Sequence, residues 1–197
     1  VLLAGATGYL GGYIAKELMG RSCPVKAIVR NPERLKEKNI EVSEIVQAEI
    51  TEPETIQNCC EDIDVVISTV GITTQKDGLT YMDVDYQANM NLLEEAKKSN
   101  VKKFIYVSVL NGENLRHTAL SNAKERFVDE LKNSGLEYCV IRPNGFFSDI
   151  SQFYNMADNG KIFLLDEGEY KVNPIHGEDL ATVCVDAIEK TDQEIKV

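Results

Sequence analysis

The chain has 197 residues and a net charge of −11 at neutral pH, with many aliphatic residues and no tryptophan. This composition indicates a globular domain large enough for its own core, and it excludes a disordered or fibrous protein. Because an acidic surface repels phosphate groups, we expect neither nucleic acid nor an anionic membrane as a partner.

The sequence also bears on the compartment. It contains neither an apolar run of about 18 residues nor a basic segment followed by an apolar one, so no membrane span or signal peptide is predicted. The five cysteines are odd in number and lack C-x-x-C spacing, which argues against disulfides or a zinc site. We therefore expect a cytoplasmic protein without a metal. We also expect residues to be missing before Val1 and part of the substrate region to follow Val197.

Apolar runs of strand length alternate with segments of helical periodicity along the first 141 residues. The predicted strands are 1–4, 25–29, 45–48, 65–69, 104–108 and 138–141, and the predicted helices are 10–19, 52–60, 84–99 and 122–134. This alternation predicts an α/β fold with a parallel sheet between helices. Because crossovers are right-handed, we expect the doubly wound Rossmann order 3-2-1-4-5-6.

Beyond residue 141 the pattern becomes irregular. The expected elements are a strand break at 142–145, a loop with a short helix at 146–158, extended pieces at 162–165 and 171–175, a helix at 178–189 and a strand at 194–197. We therefore expect one domain over 1–197, in which 144–197 form the smaller substrate-side region. The last strand would add an extra edge to the sheet.

A glycine-rich turn, G-A-T-G-Y-L-G at 5–11, follows the first strand and opens the first helix. In this setting Gly5 permits a tight turn, Gly8 lets the backbone approach a pyrophosphate, and Gly11 lets helix and strand pack closely. Amides at the helix start, supported by the helix dipole, hold the phosphates. The predicted nucleotide-binding residues of this turn are Gly5, Thr7, Gly8, Tyr9, Leu10 and Gly11.

The residue that follows the second strand predicts the choice of cofactor. An NAD-binding site usually has an acid there to bind the ribose 2′-hydroxyl. This chain has Arg30, a cation that suits a 2′-phosphate and that Arg34 can assist, while Glu33 follows a proline and is expected to point away. We therefore predict NADP(H) as the preferred cofactor. Alternatively, Arg30 is a solvated strand-end charge, and NAD(H) binds instead.

Seven motifs in a fixed order identify a wider resemblance. They are G-A-T-G-Y-L-G at 5–11, V-R-N-P at 29–32, S-T-V-G at 68–71, F-I-Y-V-S at 104–108, A-K-E at 123–125, I-R-P-N-G-F-F at 141–147 and I-H-G-E-D-L-A at 175–181. With them the chain resembles, over nearly its whole length, the atypical short-chain dehydrogenase/reductase family, in particular its NmrA-like, NAD(P)-binding members. The resemblance implies a Rossmann fold and an oxidoreductase.

The resemblance also implies positions around the cofactor, all at the carboxyl ends of strands, where open α/β sheets bind ligands. They are Glu49 and Ile50 at the adenine, Thr69, Val70 and Gly71 at the adenine ribose, and Pro143, Asn144 and Phe146 at the nicotinamide. At the position of Glu49 the family more often has aspartate.

The catalytic residues match the family only in part. Typical members use a serine after the fifth strand and a Tyr-x-x-x-Lys pair on the next helix, where the lysine lowers the pKa of the tyrosine and binds the ribose. Ser108 and Lys124 occupy the serine and lysine positions, but Leu120 stands in place of the tyrosine. The resemblance implies that Lys124 positions the cofactor and Ser108 polarises the substrate or orients the amide. Both also fit structural roles, as a strand-end cap and a solvated helix residue.

The missing tyrosine leaves several functions open. The first is an NADP(H)-dependent oxidoreductase acting on an unknown small molecule, with His117 or Tyr154 as alternative proton donors. The second is a non-catalytic NADP(H)-binding regulator or assembly factor. A third, an enzyme similar to sugar-nucleotide epimerases, is weaker because it depends on the same tyrosine. By analogy with the family, a homodimer is expected.

Overall fold

A computed structural model describes residues 1–72, 78–160 and 172–197. Its strands are β1 Leu2–Ala4, β2 Lys26–Val29, β3 Glu44–Gln47, β4 Val65–Ser68, β5 Lys103–Val107, β6 Glu137–Arg142 and β7 Glu194–Lys196. They form one parallel sheet in the order β3-β2-β1-β4-β5-β6-β7. This order confirms the predicted doubly wound Rossmann sheet, and β7 is its predicted extra edge strand.

Helices cover both faces of the sheet. They are α1 Tyr9–Gly20, α2 Glu33–Glu37, α3 Asn89–Lys98, α4 Ala119–Lys132, α5 Phe147–Asp158 and α6 Gly177–Asp186, with 3₁₀ turns at Pro53–Ile56 and Gly112–Leu115 and a π-helical turn at Met82–Ala88. The apolar sides of α1 and α6 form a core with one face of the sheet. Those of α3 and α4 form a second core with the other face.

The central strands are mostly apolar because both faces of the sheet are covered. Every residue of β1, β4 and β5 is buried. Burial on both faces explains why these strands appear in the sequence as continuous apolar runs rather than as alternating patterns. None of the helices among the described residues has both the length and the apolar character needed to cross a membrane.

The predicted helix at 52–60 is wrong. A single 3₁₀ turn at Pro53–Ile56 is followed by turns in which Asn58 and Asp62 have φ values of 61° and 60°. Left-handed residues interrupt a right-handed helix. Cys59 and Cys60 are nevertheless buried. The apolar pattern at 52–60 therefore reflects which residues are buried and not a helical backbone.

The region after β6 is more regular than expected. The segment predicted as a loop with a short helix forms the 12-residue helix α5. The predicted extended piece at 162–165 lies outside the described residues, as does the start of the one at 171–175. From the latter, Ile175 forms an isolated parallel bridge with Phe146.

Candidate functional site

The glycine turn between β1 and α1 has the geometry that its sequence predicts. Gly5 has a φ of +91°, which favours glycine, and its carbonyl accepts a hydrogen bond of 2.9 Å from the Gly8 amide. A Cβ on Gly11 would lie 2.1 Å from that carbonyl oxygen, so only glycine allows this approach of α1 to the turn. Gly8 is the N-cap of α1 and supplies no side-chain cap, which leaves the first helical amides available for an anion.

A cleft of about 440 Å³ opens beside this turn at the carboxyl edge of the sheet. It brings together nine of the predicted cofactor residues: Gly5, Thr7, Gly8, Arg30, Glu49, Ile50, Thr69, Val70 and Gly71. These residues come from the ends of four neighbouring strands, where the resemblance places the pyrophosphate, the adenine and its ribose. The cleft is therefore the candidate nucleotide site.

Two cations, Arg30 and Arg34, line the cleft. A third, Lys38, lies beside the glycine turn, where its ammonium donates a hydrogen bond of 2.6 Å to the Thr7 carbonyl. Glu33 pairs with Lys36 on α2. The sequence analysis missed Lys38, because it occurs in an exposed charged stretch with nothing to distinguish it from its neighbours. A locally basic site thus occurs on an acidic protein.

The loop after β4 forms one wall of the cleft and is fixed from within the protein. The Thr69 hydroxyl donates a hydrogen bond to the Ala4 carbonyl at 3.2 Å. The Ser68 hydroxyl donates to the Asn89 side chain at 2.6 Å, and the Asn89 amide donates to the Val70 carbonyl at 3.3 Å. Because Ser68 and Asn89 are fully buried, water does not compete for the hydrogen bonds that hold residues 68–70 of this wall.

Leu10 and Gly11, two of the predicted nucleotide-binding residues of the turn, pack inside the protein. Leu10 is 7% exposed and packs in the core with α6. Gly11 packs against the backbone of Gly5. Contact of either residue with a nucleotide is therefore limited to the backbone.

An aromatic cluster joins the turn to the C-terminal segment. The rings of Tyr9 and Phe146 pack edge to face, with centroids 5.3 Å apart. The Tyr9 hydroxyl accepts a hydrogen bond of 3.2 Å from the Gly177 amide at the start of α6. Pro143 and Asn144 are not among the described residues that line the cleft. Of the predicted nicotinamide residues, the structure thus connects Phe146 to the glycine turn.

Ser108 lies in a buried ionic network. Its hydroxyl donates a hydrogen bond of 2.8 Å to Glu125, which also binds the Arg142 guanidinium at 2.6 and 2.9 Å. Glu125 and Arg142 are almost fully buried, and Arg142 also bonds Glu194 on β7 at 2.8 Å. This position gives Ser108 a structural partner. Its catalytic role stays a prediction that requires the hydroxyl to turn away from Glu125.

Lys124 is not the solvated helix residue of the alternative interpretation. It is 9% exposed, and its ammonium lies 3.1 Å from the Asp85 carboxylate and 3.4 Å from the Tyr106 hydroxyl. A tyrosine therefore does lie beside Lys124, but it comes from β5 and not from the position of Leu120. Burial raises the pKa of Tyr106 to about 12, so this hydroxyl keeps its proton at neutral pH.

The two alternative proton donors lie elsewhere. Helix α4 begins at Ala119 after the N-cap Thr118, so His117 precedes the helix and does not share a helical face with Lys124. His117 is exposed and lines a separate pocket with Thr80 and Met82. Tyr154 is 75% exposed on α5. Neither residue lines the nucleotide cleft.

Comparison with known proteins agrees with this site. Residues 5–191 match the NAD(P)H-binding family. The chain is 31% identical to photosystem II assembly factor Ycf39 of Guillardia theta and 26% identical to divinyl chlorophyllide a 8-vinyl-reductase of Arabidopsis thaliana, over 94% and 95% of its length. It spans 59% of the length of the assembly factor and 49% of that of the reductase.

Among solved structures, the fold is similar to an NADPH-dependent quinone oxidoreductase of Escherichia coli complexed with NADPH. The TM-score is 0.77 at 23% identity, covering all of this chain and 67% of the other. At this identity the similarity shows the fold alone. The family match spans the glycine turn, the cleft and both cores, and the chain therefore belongs to the NAD(P)H-binding family.

Proposed function

We propose that the cleft binds NADP(H) in preference to NAD(H). The observation that carries this proposal is that Arg30 and Arg34 line a cleft that otherwise fits either nucleotide, with Lys38 beside its glycine turn. Guanidinium and ammonium groups bind a phosphate through charge-assisted hydrogen bonds, and they offer a ribose hydroxyl much less. The Arg30 guanidinium lies 3.6 Å from the carboxylate of Glu49, which also lines the cleft.

We further propose that the bound NADPH reduces an unidentified small molecule. The cofactor supplies the hydride, and the chain supplies position and electrostatics. In this scheme Lys124, which is not among the described residues that line the cleft, reaches the nucleotide past Gly71, since its ammonium lies 3.0 Å from where a Cβ on Gly71 would be. The reductase relative supports this reading, because its name describes reduction of a vinyl group.

The second candidate is a non-catalytic NADP(H)-binding regulator or assembly factor. Leu120 at the position of the family tyrosine favours it, since leucine transfers no proton, and so does the name of the Guillardia relative. In this case NADPH binding changes how the protein associates with a partner, and no product forms.

One experiment distinguishes the two functions. The purified protein is titrated with NADPH and NADH by cofactor fluorescence, and then quinones, aldehydes and enones are added. Steady oxidation of NADPH that collapses in Lys124→Ala supports the reductase. Tight NADPH binding without oxidation by any acceptor supports the regulator. NADH binding as tight as NADPH binding contradicts the assigned preference, and binding of neither nucleotide contradicts both functions.

A further inference from the structure

The turn that precedes α3 has an unusual backbone. Residues Met82–Ala88 form a π-helical turn, a rare form that inserts extra width into a helix and occurs mostly at functional sites. The side-chain amide of Asn89 donates hydrogen bonds to the carbonyls of Val84 and Asp85, at 3.3 and 3.0 Å. The widened turn is therefore supported by a dedicated side chain, and Asp85 lies in its middle.

Asp85 is a carboxylate in a fully buried position. One oxygen accepts a hydrogen bond of 3.2 Å from the Ile72 amide. The other accepts none from the described residues, although the Lys124 ammonium lies 3.1 Å away. Burial raises the pKa of Asp85, and Lys124 offsets only part of that rise. Burying a carboxylate costs free energy, so the presence of Asp85 at this position requires an explanation.

A side chain at position 71 would displace this carboxylate. A Cβ on Gly71 would lie 2.5 Å from Asp85 Oδ1 and 3.0 Å from Lys124 Nζ. Gly71 itself lines the nucleotide cleft. The pair of Asp85 and Lys124 therefore lies directly behind the cleft wall, separated from the cleft by a residue without a side chain.

The surroundings of Lys124 keep it charged. Among the described residues, the titratable groups that face its ammonium are Asp85 from the π-helical turn and Tyr106 from β5, while the neighbouring Glu125 on α4 faces Arg142. Burial favours the neutral amine, yet Tyr106 and Asp85 leave the pKa of Lys124 above its usual value. Without Asp85, burial would act on the amine with no counter-charge.

We propose that Asp85 is a positioning residue, which the π-helical turn places behind Gly71 to hold the Lys124 ammonium charged and directed at the nucleotide. The inference rests on the proposed function, because it requires a nucleotide in the cleft for the Lys124 ammonium to contact. It goes further by assigning a role to a residue that does not itself line the cleft. A buried ion pair that served stability alone would have no effect on nucleotide binding once folding is accounted for.

The test is a cycle of variants followed by NADPH fluorescence titration from about pH 6 to about pH 10, a range that brackets the titration of a perturbed lysine. The variants are Asp85→Asn, Lys124→Met and the double variant. The matched control is Asp83→Asn, which makes the same chemical change at an exposed position of the same turn, where the carboxylate accepts hydrogen bonds from Thr80. Urea unfolding of each variant reports stability separately.

We expect Asp85→Asn to weaken NADPH binding about tenfold or more at neutral pH, as loss of a charge-assisted contact does. Its affinity should fall further as the pH rises, because the pKa of an unpaired buried lysine is depressed. The wild-type protein and Asp83→Asn should keep their affinity over the same range. Lys124→Met and the double variant should bind equally weakly, because Asp85 acts only through Lys124.

Three results would overturn the inference while NADPH still binds to the wild-type protein. They are wild-type affinity and pH profile in Asp85→Asn, wild-type affinity in the double variant, and a further loss when Asp85→Asn is added to Lys124→Met. If Asp85→Asn does not fold, the comparison of Lys124→Met with the double variant decides by the same criteria. A wild-type protein that binds neither NADPH nor NADH overturns the proposed function, and this inference with it.

Discussion

Arg30 and Glu49 form an ion pair across the ends of β2 and β3, with the guanidinium and carboxylate 3.6 Å apart at the mouth of the nucleotide cleft. The Arg30 side chain is 62% exposed and the Glu49 side chain 30%. The pair therefore has little Coulomb energy to lose. A bound 2′-phosphate can therefore replace Glu49 as the partner of the guanidinium at a small cost in free energy. Substitutions of these two residues test which cofactor the cleft prefers.

We expect Arg30→Gln to weaken NADPH binding about tenfold and NADH binding by no more than about twofold, because only NADPH carries the phosphate that Arg30 would bind. Fluorescence titration with both nucleotides measures the two constants. Lys36→Gln is the control, since Lys36 is an exposed cation on α2 that pairs with Glu33. Equal weakening of NADH and NADPH would show that Arg30 does not read the 2′-position.

Glu49→Gln should act in the opposite direction. It removes the carboxylate that competes for Arg30, so NADPH affinity should rise by up to about fivefold, the range of an exposed ion pair. NADH binding should stay the same or weaken. The ratio of the two dissociation constants, measured in low and high salt, checks this, and the gain should shrink in high salt. A drop in NADPH affinity would mean that Glu49 holds the nucleotide directly.

Two glycines of α1 provide a matched pair for the turn geometry. A Cβ on Gly11 would meet the Gly5 carbonyl at 2.1 Å, whereas a Cβ on Gly20 would have nothing within 4 Å. Gly11→Ala should destabilise the protein by about 2 kcal/mol or more, because backbone must move. Gly20→Ala should stabilise it by up to about 1 kcal/mol. Urea unfolding measures both, and similar values for the two variants would contradict the close packing of α1 on the turn.

Substitutions of Ser108 and of Glu125 should lower the free energy of unfolding by different amounts. Ser108→Ala removes a hydroxyl that donates to Glu125 and accepts from Arg142, and it should cost about 1 kcal/mol, leaving NADPH binding unchanged. Glu125→Gln removes the buried carboxylate of Arg142, leaving the more exposed Glu194 and Glu113 as its counter-charges, and should cost about 3 kcal/mol. Once an acceptor is known, the rate of Ser108→Ala tests its predicted catalytic role. Full turnover in that variant would leave Ser108 with its structural role alone.

The parts of the fold that sequence reasoning predicted correctly are set by local signals. The glycine turn is specified by three glycines within seven residues, and the central strands by apolar runs that parallel sheets require. The helix at 52–60 was wrong because buried residues on a turn repeat much as they do on a helix. The left-handed Asn58 that breaks it carries no unambiguous mark in the sequence.

The site was predictable only where its residues belong to motifs. Arg30 and Gly71 were found because their positions after strands are informative. Lys38 was missed because its role depends on where α2 places it relative to Thr7. Asp85 was missed because in sequence it resembles any solvated acid on a helix. Its burial depends on Lys124, 39 residues later, and on a backbone widening that helical periodicity does not reveal.

The bond between Tyr9 and Gly177 joins residues 168 positions apart. During synthesis at about 5 to 20 residues per second, the end of the glycine turn waits roughly 10 to 30 seconds for this contact. Until then, α1 also lacks α6, with which it shares one core. A nascent chain therefore completes the packing around its nucleotide turn late, after α6 has been synthesised.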